Sequence, residues 1–132
     1  MRLWLGRILI LCVLVMNIQC AVVFILTPAL FAPGFELQGP VGEAMVRGMG
    51  VLFLMWNVPY AVAAWQPQKQ RVSMIEALLM QAIGVVGETA IFLALPLEHA
   101  VVRASVLRFV IFDSGGLVFL LAAAWITRLP KS

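Results

Sequence analysis

The stretch MIEALLMQAIGVVGETAIFLALP, residues 74–96, constrains this chain more than any other. A membrane-spanning helix needs about 20 mostly apolar residues, and this run supplies them while holding Glu88 well inside. A carboxylate at that depth is costly unless it is protonated, paired or facing water. The chain therefore reads as a small bundle of membrane helices arranged around Glu88 and a few polar partners.

The rest of the sequence supports a bundle of that kind. Of its 132 residues, 64% are hydrophobic and 11% are charged, where soluble domains carry about 25% charged residues. A soluble fold is excluded. The length accommodates four spans and short connections, so residues 1–132 are expected to form a single all-α membrane domain, a four-transmembrane-helix bundle. The expected helices cover residues 8–26, 44–65, 74–96 and 105–127, with an outer loop at 27–43. The first apolar run follows Arg2 and Arg7 as a signal peptide would, but its core is too long and lacks a small-residue cleavage site. It is read as a retained helix. In the loop, Pro28, Pro33-Gly34 and Gly39-Pro40 interrupt regular structure. Phe31 and Phe35 suit the bilayer interface there, with Glu36 and Glu43 facing water. In the second helix Pro59 predicts a kink and frees the carbonyl of Met55, for which Asn57 or a neighbouring helix is a candidate partner.

A net charge of +3 does not point to nucleic acid, because the basic residues are scattered at the flanks of apolar segments. They read as topology signals. With both termini inside, Arg2, Arg7, Lys69, Arg71, Arg128 and Lys131 fall on the inner side, against Arg47, Arg103 and Arg108 outside. The positive-inside rule then puts both termini in the cytoplasm. Trp4, Trp65 and Trp125 fall at the inner ends of helices, where an interfacial aromatic belt would have them.

The polar residues fall into one layer. At 1.5 Å per residue, Glu88 and Asp113 each lie roughly 12 Å below the outer end of their helix, and so are expected at a common level on adjacent helices. Arg47 and Arg108 start shallower, with side chains long enough to reach down or to snorkel outward. Asn17 lies near the carboxylates and Asn57 deeper. Gln81, Gly84 and Glu88 share one face of the third helix by their i, i+3, i+7 spacing. Gly48 and Gly50, like Gly84 and the Gly115-Gly116 pair after Asp113, would let a neighbouring helix approach closely. Two acids and two arginines sum to no net charge, as an internal satisfied network requires. Three roles fit the layer: a register-fixing structural network, a pocket for a small polar or quinone-like head group, and a proton-coupling carboxylate in a carrier.

Other chemistry is weakly signalled. His99, the single histidine, reads as a solvated loop residue. Cys12 and Cys20 stand eight residues apart on one helix, about 12 Å, too far for a disulfide. Nucleophile-elbow, phosphate-loop and zinc-protease motifs are missing. No metal site is expected, and the methionines of the second helix read as packing.

The four short spans, the Pro/Gly-rich first outer loop and Arg47-Gly48-x-Gly50 opening the second helix resemble the small four-helix DoxX-like bacterial membrane proteins. The resemblance implies a multi-pass protein of the bacterial inner membrane. It also implies, as one alternative, a quinone- or lipid-binding component of a redox complex. From the residues themselves the expected role is a non-catalytic subunit or accessory protein with a polar Glu/Asp/Arg layer. The other alternative is a proton-coupled small-molecule carrier. Expected partners are the lipid bilayer and a larger membrane complex or further copies of the chain.

Overall fold

The computed structural model describes residues 1–128. Lys131, one of the basic residues counted at the terminal end, lies outside the described residues. The helices are α1 (Arg2–Leu26), a single turn α2 (Pro28–Phe31), α3 (Gly39–Trp56), α4 (Val58–Trp65), α5 (Arg71–Ala94) and α6 (Ala100–Ile126). Among the described residues there is no strand. With α3 and α4 taken together, four segments are long and apolar enough to cross a membrane. The chain is an all-α four-helix bundle of a multi-pass membrane protein. An even number of spans leaves the described N-terminus and the end of α6 on one side, the terminal end. The connections after α1 and α5 lie on the other, distal end.

Every helix begins earlier than its apolar run. Helix α1 starts at Arg2 rather than residue 8, α3 at Gly39 rather than 44, α5 at Arg71 rather than 74 and α6 at Ala100 rather than 105, while α5 ends at Ala94 rather than 96. Apolar runs report the thickness of hydrocarbon, whereas helical hydrogen bonding continues into the interface wherever the backbone would otherwise go unpaired. The expected loop at 27–43 is corrected most. Pro28 and Pro40 stand in the first turns of α2 and α3, where a missing N–H costs nothing. A 3-10 turn covers Ala32–Phe35. The prolines thus start helices instead of breaking them.

Two packed regions hold the bundle. Near the terminal end Ile10, Leu14, Tyr60, Met74 and Leu120 form a core shared by α1, α4, α5 and α6. Arg7 Nε donates to the Ala64 carbonyl at 3.0 Å, tying α1 to the end of α4, and its guanidinium lies 5.1 Å from the Trp4 ring. At the distal end Phe24 is the hub of an aromatic cluster, with ring centroids 4.9 Å from Phe31, 5.9 Å from Phe35 and Phe53, and 6.2 Å from Phe109. Phe31 and Phe35 therefore pack into the bundle rather than into lipid head groups. The Ser105 hydroxyl donates to the Gly34 carbonyl at 2.6 Å, pinning this cap to α6. Glu36 Oε2 and His99 Nδ1 lie 2.6 Å apart, so His99, half-exposed in the α5–α6 connection, is also tethered across the cap.

The α5–α6 connection is closed by Arg103, which donates to the Phe92 carbonyl at 2.9 Å and to the Leu95 carbonyl, with its guanidinium 4.4 Å from the Phe92 ring. These acceptors are the last carbonyls of α5, which have no helical partner of their own. Arg103→Gln is expected to lower stability by about 1–2 kcal/mol, read as an earlier midpoint in detergent-denaturation curves. An unchanged midpoint would mean that water or lipid head groups serve those carbonyls equally well.

The helices follow each other around the bundle as α3/α4, α1, α6, α5. Helix α4 packs on α5 and closes the ring in the terminal half. Helix α3 has no comparable packing on α5, so the distal half of the ring is open on that side. The divergence begins at the break between Trp56 and Val58. There the Asn57 N–H bonds to the Leu54 carbonyl at 3.1 Å, a tightened turn, and Pro59 supplies no N–H at all. The Asn57 side-chain amide donates at 2.6 Å to the Phe53 carbonyl that the tightened turn leaves over. The expected partner of the Asn57 side chain was the Met55 carbonyl, and the structure moves that bond to Phe53.

Candidate functional site

Between the terminal core and the aromatic cap lies a cavity of ≈ 380 Å³. Its back wall is Asn17 and Cys20 of α1 with Phe109, Phe112 and Asp113 of α6. Phe53, Trp56 and Asn57 line one flank, and Gly84, Gly87 and Glu88 of α5 line the other. The cap rings Phe53 and Phe109 close it toward the distal face. The mouth is the gap between α3 and α5, edged by the exposed Ile83, Gly87 and Ile91. In a bilayer that gap opens sideways into lipid.

The polar floor of the cavity is one connected chain. Tyr60, fully buried, donates its hydroxyl to Gln81 Oε1 at 2.5 Å, and Gln81 Nε2 donates to the Asp113 carbonyl at 3.1 Å. Three helices are joined through one amide whose two ends are both used. Two glycines make room for it. A Cβ on Gly116 would stand 2.8 Å from Gln81 Nε2, and one on Gly84 would stand 2.6 Å from Asp113 Oδ2. Gly84 admits the side chain of Asp113 itself, while nothing approaches Gly115 within 4 Å.

Glu88 and Asp113 do not share a level. The Asp113 carboxylate sits beside Gly84, one turn or about 6 Å below Glu88 on α5. The reason is the early start of α6, which adds five residues ahead of the expected first one. Because α5 and α6 run antiparallel and side chains tilt toward their own N-termini, Glu88 leans down and Asp113 leans up, into the same cavity. Glu88 Oε2 is buried with no hydrogen-bond partner among the described residues.

The arginines do not pair with these acids. Among the described residues the ion pairs within 4.0 Å are those of His99 with Glu36 and Glu98. Arg47 Nε donates to the Ile25 carbonyl at the end of α1, 3.1 Å away and outside the cavity. Arg108 reaches the cavity rim but donates to the Ala104 carbonyl and the Ser105 hydroxyl, both at 3.3 Å. Both guanidiniums follow the snorkelling alternative, toward acceptors near the bundle's distal end. The expected arginine–carboxylate network is not formed. Of the seven residues expected to make the polar layer, Asn17, Asn57, Gln81, Glu88, Arg108 and Asp113 line the cavity, and Arg47 does not.

Several residues in and beneath the cavity carried signals that the polar residues overshadowed. Tyr60 is the single tyrosine, and a phenol inside an apolar span needs a partner. Trp56 is the one tryptophan away from the interfacial belt. Phe109, Phe112 and Asp113 follow i, i+3, i+4 spacing and so share a face. Cys20 is partly buried, with a free thiol.

Comparison with known proteins adds no relative: no family model matches the chain, and neither a curated protein nor a solved structure does.

Proposed function

We propose that this protein binds a small amphipathic molecule drawn from the bilayer, holding its polar end among Glu88, Asp113 and Asn57. The observation that carries the reading is an aromatic-walled cavity that opens between α3 and α5 and has unpartnered polar atoms inside. Small-molecule sites have this composition, apolar and aromatic walls with a few convergent polar groups, at volumes of about 300–1,000 Å³. The role is non-catalytic in itself, that of a binding component or accessory subunit of a larger membrane assembly. The DoxX-like resemblance supports a quinone- or lipid-binding component of a bacterial inner-membrane complex. The basic residues at the terminal end support cytoplasmic termini.

Gly87 provides the test. It edges the mouth, and a Cβ there would meet nothing within 4 Å. Gly87→Leu should therefore narrow the mouth without disturbing packing, and glycine's removal from a helix interior is itself favourable by up to about 1 kcal/mol. Native mass spectrometry of gently extracted wild type is expected to show a lipophilic adduct that Gly87→Leu loses at unchanged thermal stability. An empty wild type, or an adduct kept by the variant, would overturn the reading.

A further inference from the structure

We infer that the cavity is built for a lipophilic amine, an apolar molecule carrying a protonated nitrogen; the inference rests on the binding role proposed above. Two buried acceptors in the cavity lining, Asn57 Oδ1 and Glu88 Oε2, have no donor. Asn57 is 4% exposed, and its amide nitrogen is committed to the Phe53 carbonyl, which fixes the flip of the amide and leaves Oδ1 without a partner. A group that can only accept must meet a donor on the ligand. Glu88 Oε2 is the second buried acceptor without a partner. Gln81 adds no further unpartnered acceptor, because its Oε1 already receives the Tyr60 hydroxyl.

Charge points the same way. Two carboxylates line the cavity, and among the described residues no cationic nitrogen lies within 4.0 Å of either. Arg108, the arginine in the cavity lining, turns its Nε and an Nη to acceptors on its own helix. A carboxyl group away from water is either protonated or beside a cation, and a cationic ligand would hold one of these acids in its ionised form. Around these acids stand Phe53, Trp56, Phe109 and Phe112, whose ring faces attract a cation and whose edges suit an apolar body. A quinone, whose carbonyls only accept, could reach the donors of the lining but would leave the Asn57 Oδ1 acceptor without a partner. An alcohol would satisfy one acceptor and bring the acids no cationic partner. An ammonium group supplies several donors and the missing charge at once, and its apolar remainder can leave through the α3–α5 gap into lipid.

The test compares two probes that differ only at the polar end, 4-phenylbutylamine and 4-phenylbutanol, titrated by calorimetry into the full chain in lipid nanodiscs at neutral pH. The amine is expected to bind at least about tenfold more tightly than the alcohol. Glu88→Gln should remove most of that preference while leaving the alcohol within about threefold, and Glu88→Asp should restore part of it. Gly87→Leu should weaken both probes together. Equal affinities for amine and alcohol, or an amine affinity indifferent to Glu88→Gln, would overturn the amine assignment. If Gly87→Leu still abolishes binding in that case, the cavity stands as a binding site and the ligand class alone is wrong. Binding of neither probe to the wild type, or indifference of both to Gly87→Leu, overturns the assignment together with the binding role.

Discussion

Gly50→Leu is expected to cost this bundle about 3 kcal/mol, the upper end of the range for overpacking a close contact, and to lower its denaturation midpoint accordingly. A Cβ at Gly50 would stand 2.8 Å from the Ala21 carbonyl oxygen and 2.8 Å from Ile25 Cγ1, with Phe24 Cβ at 3.0 Å. A flexible side chain could give way, but the Ala21 carbonyl belongs to the backbone of α1. Relief requires α1 and α3 to separate, and in a bilayer close backbone approach through small residues is a main source of helix association. Separation would also pull Phe24 from Phe53 and loosen the aromatic cap. Gly48 supplies the control. It lies two residues earlier, with nothing within 4 Å of a Cβ, so Gly48→Leu should leave stability unchanged or slightly raised. A Gly50→Leu protein as stable as wild type would mean that α1 and α3 do not pack through this glycine.

That pair of glycines marks how far the sequence could be read. Arg47-Gly48-Met49-Gly50 announces a helix able to approach a neighbour closely, but which glycine meets the neighbour depends on the rotation of α3, and composition does not encode it. The four spans were legible because hydrophobic length is measured against a bilayer of known thickness. The shared face of Gln81, Gly84 and Glu88 was legible because helical periodicity does not depend on where a helix ends. The level of Asp113 did depend on it. Residues 100–104, ahead of the expected start, proved helical, and Asp113 moved a turn deeper than the apolar run implied. The arginine–carboxylate network failed for a different reason. Charge balance within a layer says that pairing is affordable, yet a long guanidinium side chain finds backbone acceptors near the end of the bundle before it reaches an acid in the interior. The opening between α3 and α5 was half visible, since Pro59 announced a kink without giving its direction.

Gln81→Leu is the second change expected to have a large effect, and it bears on the bundle and the cavity together. Gln81 is 2% exposed, and one amide links Tyr60 of α4 to the backbone of α6. Leucine of similar size removes both hydrogen bonds and strands the Tyr60 hydroxyl where no water reaches it. The expected loss is about 2 kcal/mol, since a hydrogen bond between membrane helices contributes about 0.6 kcal/mol on average and at most about 1.7, while a stranded buried group costs about 1–3 kcal/mol. Tyr60→Phe alone should cost about 1 kcal/mol, because Gln81 keeps its bond to α6 and only its Oε1 is left over. The double variant should be no less stable than Gln81→Leu, because removing the stranded hydroxyl cancels part of the penalty. A double-mutant cycle in denaturation free energies measures that coupling, and strictly additive losses would show that the Tyr60–Gln81 bond does not hold α4 to α5. The same variant reports on the cavity. Without the amide the hydrogen bond that fixes the Asp113 backbone against α5 is lost, so the carboxylate is less firmly held beside Gly84, and the adduct seen by native mass spectrometry should weaken even though leucine adds no bulk to the mouth. Gly87→Leu is expected to give the opposite combination, a lost adduct on an intact bundle. The two variants together separate what holds the cavity in shape from what lets a ligand into it.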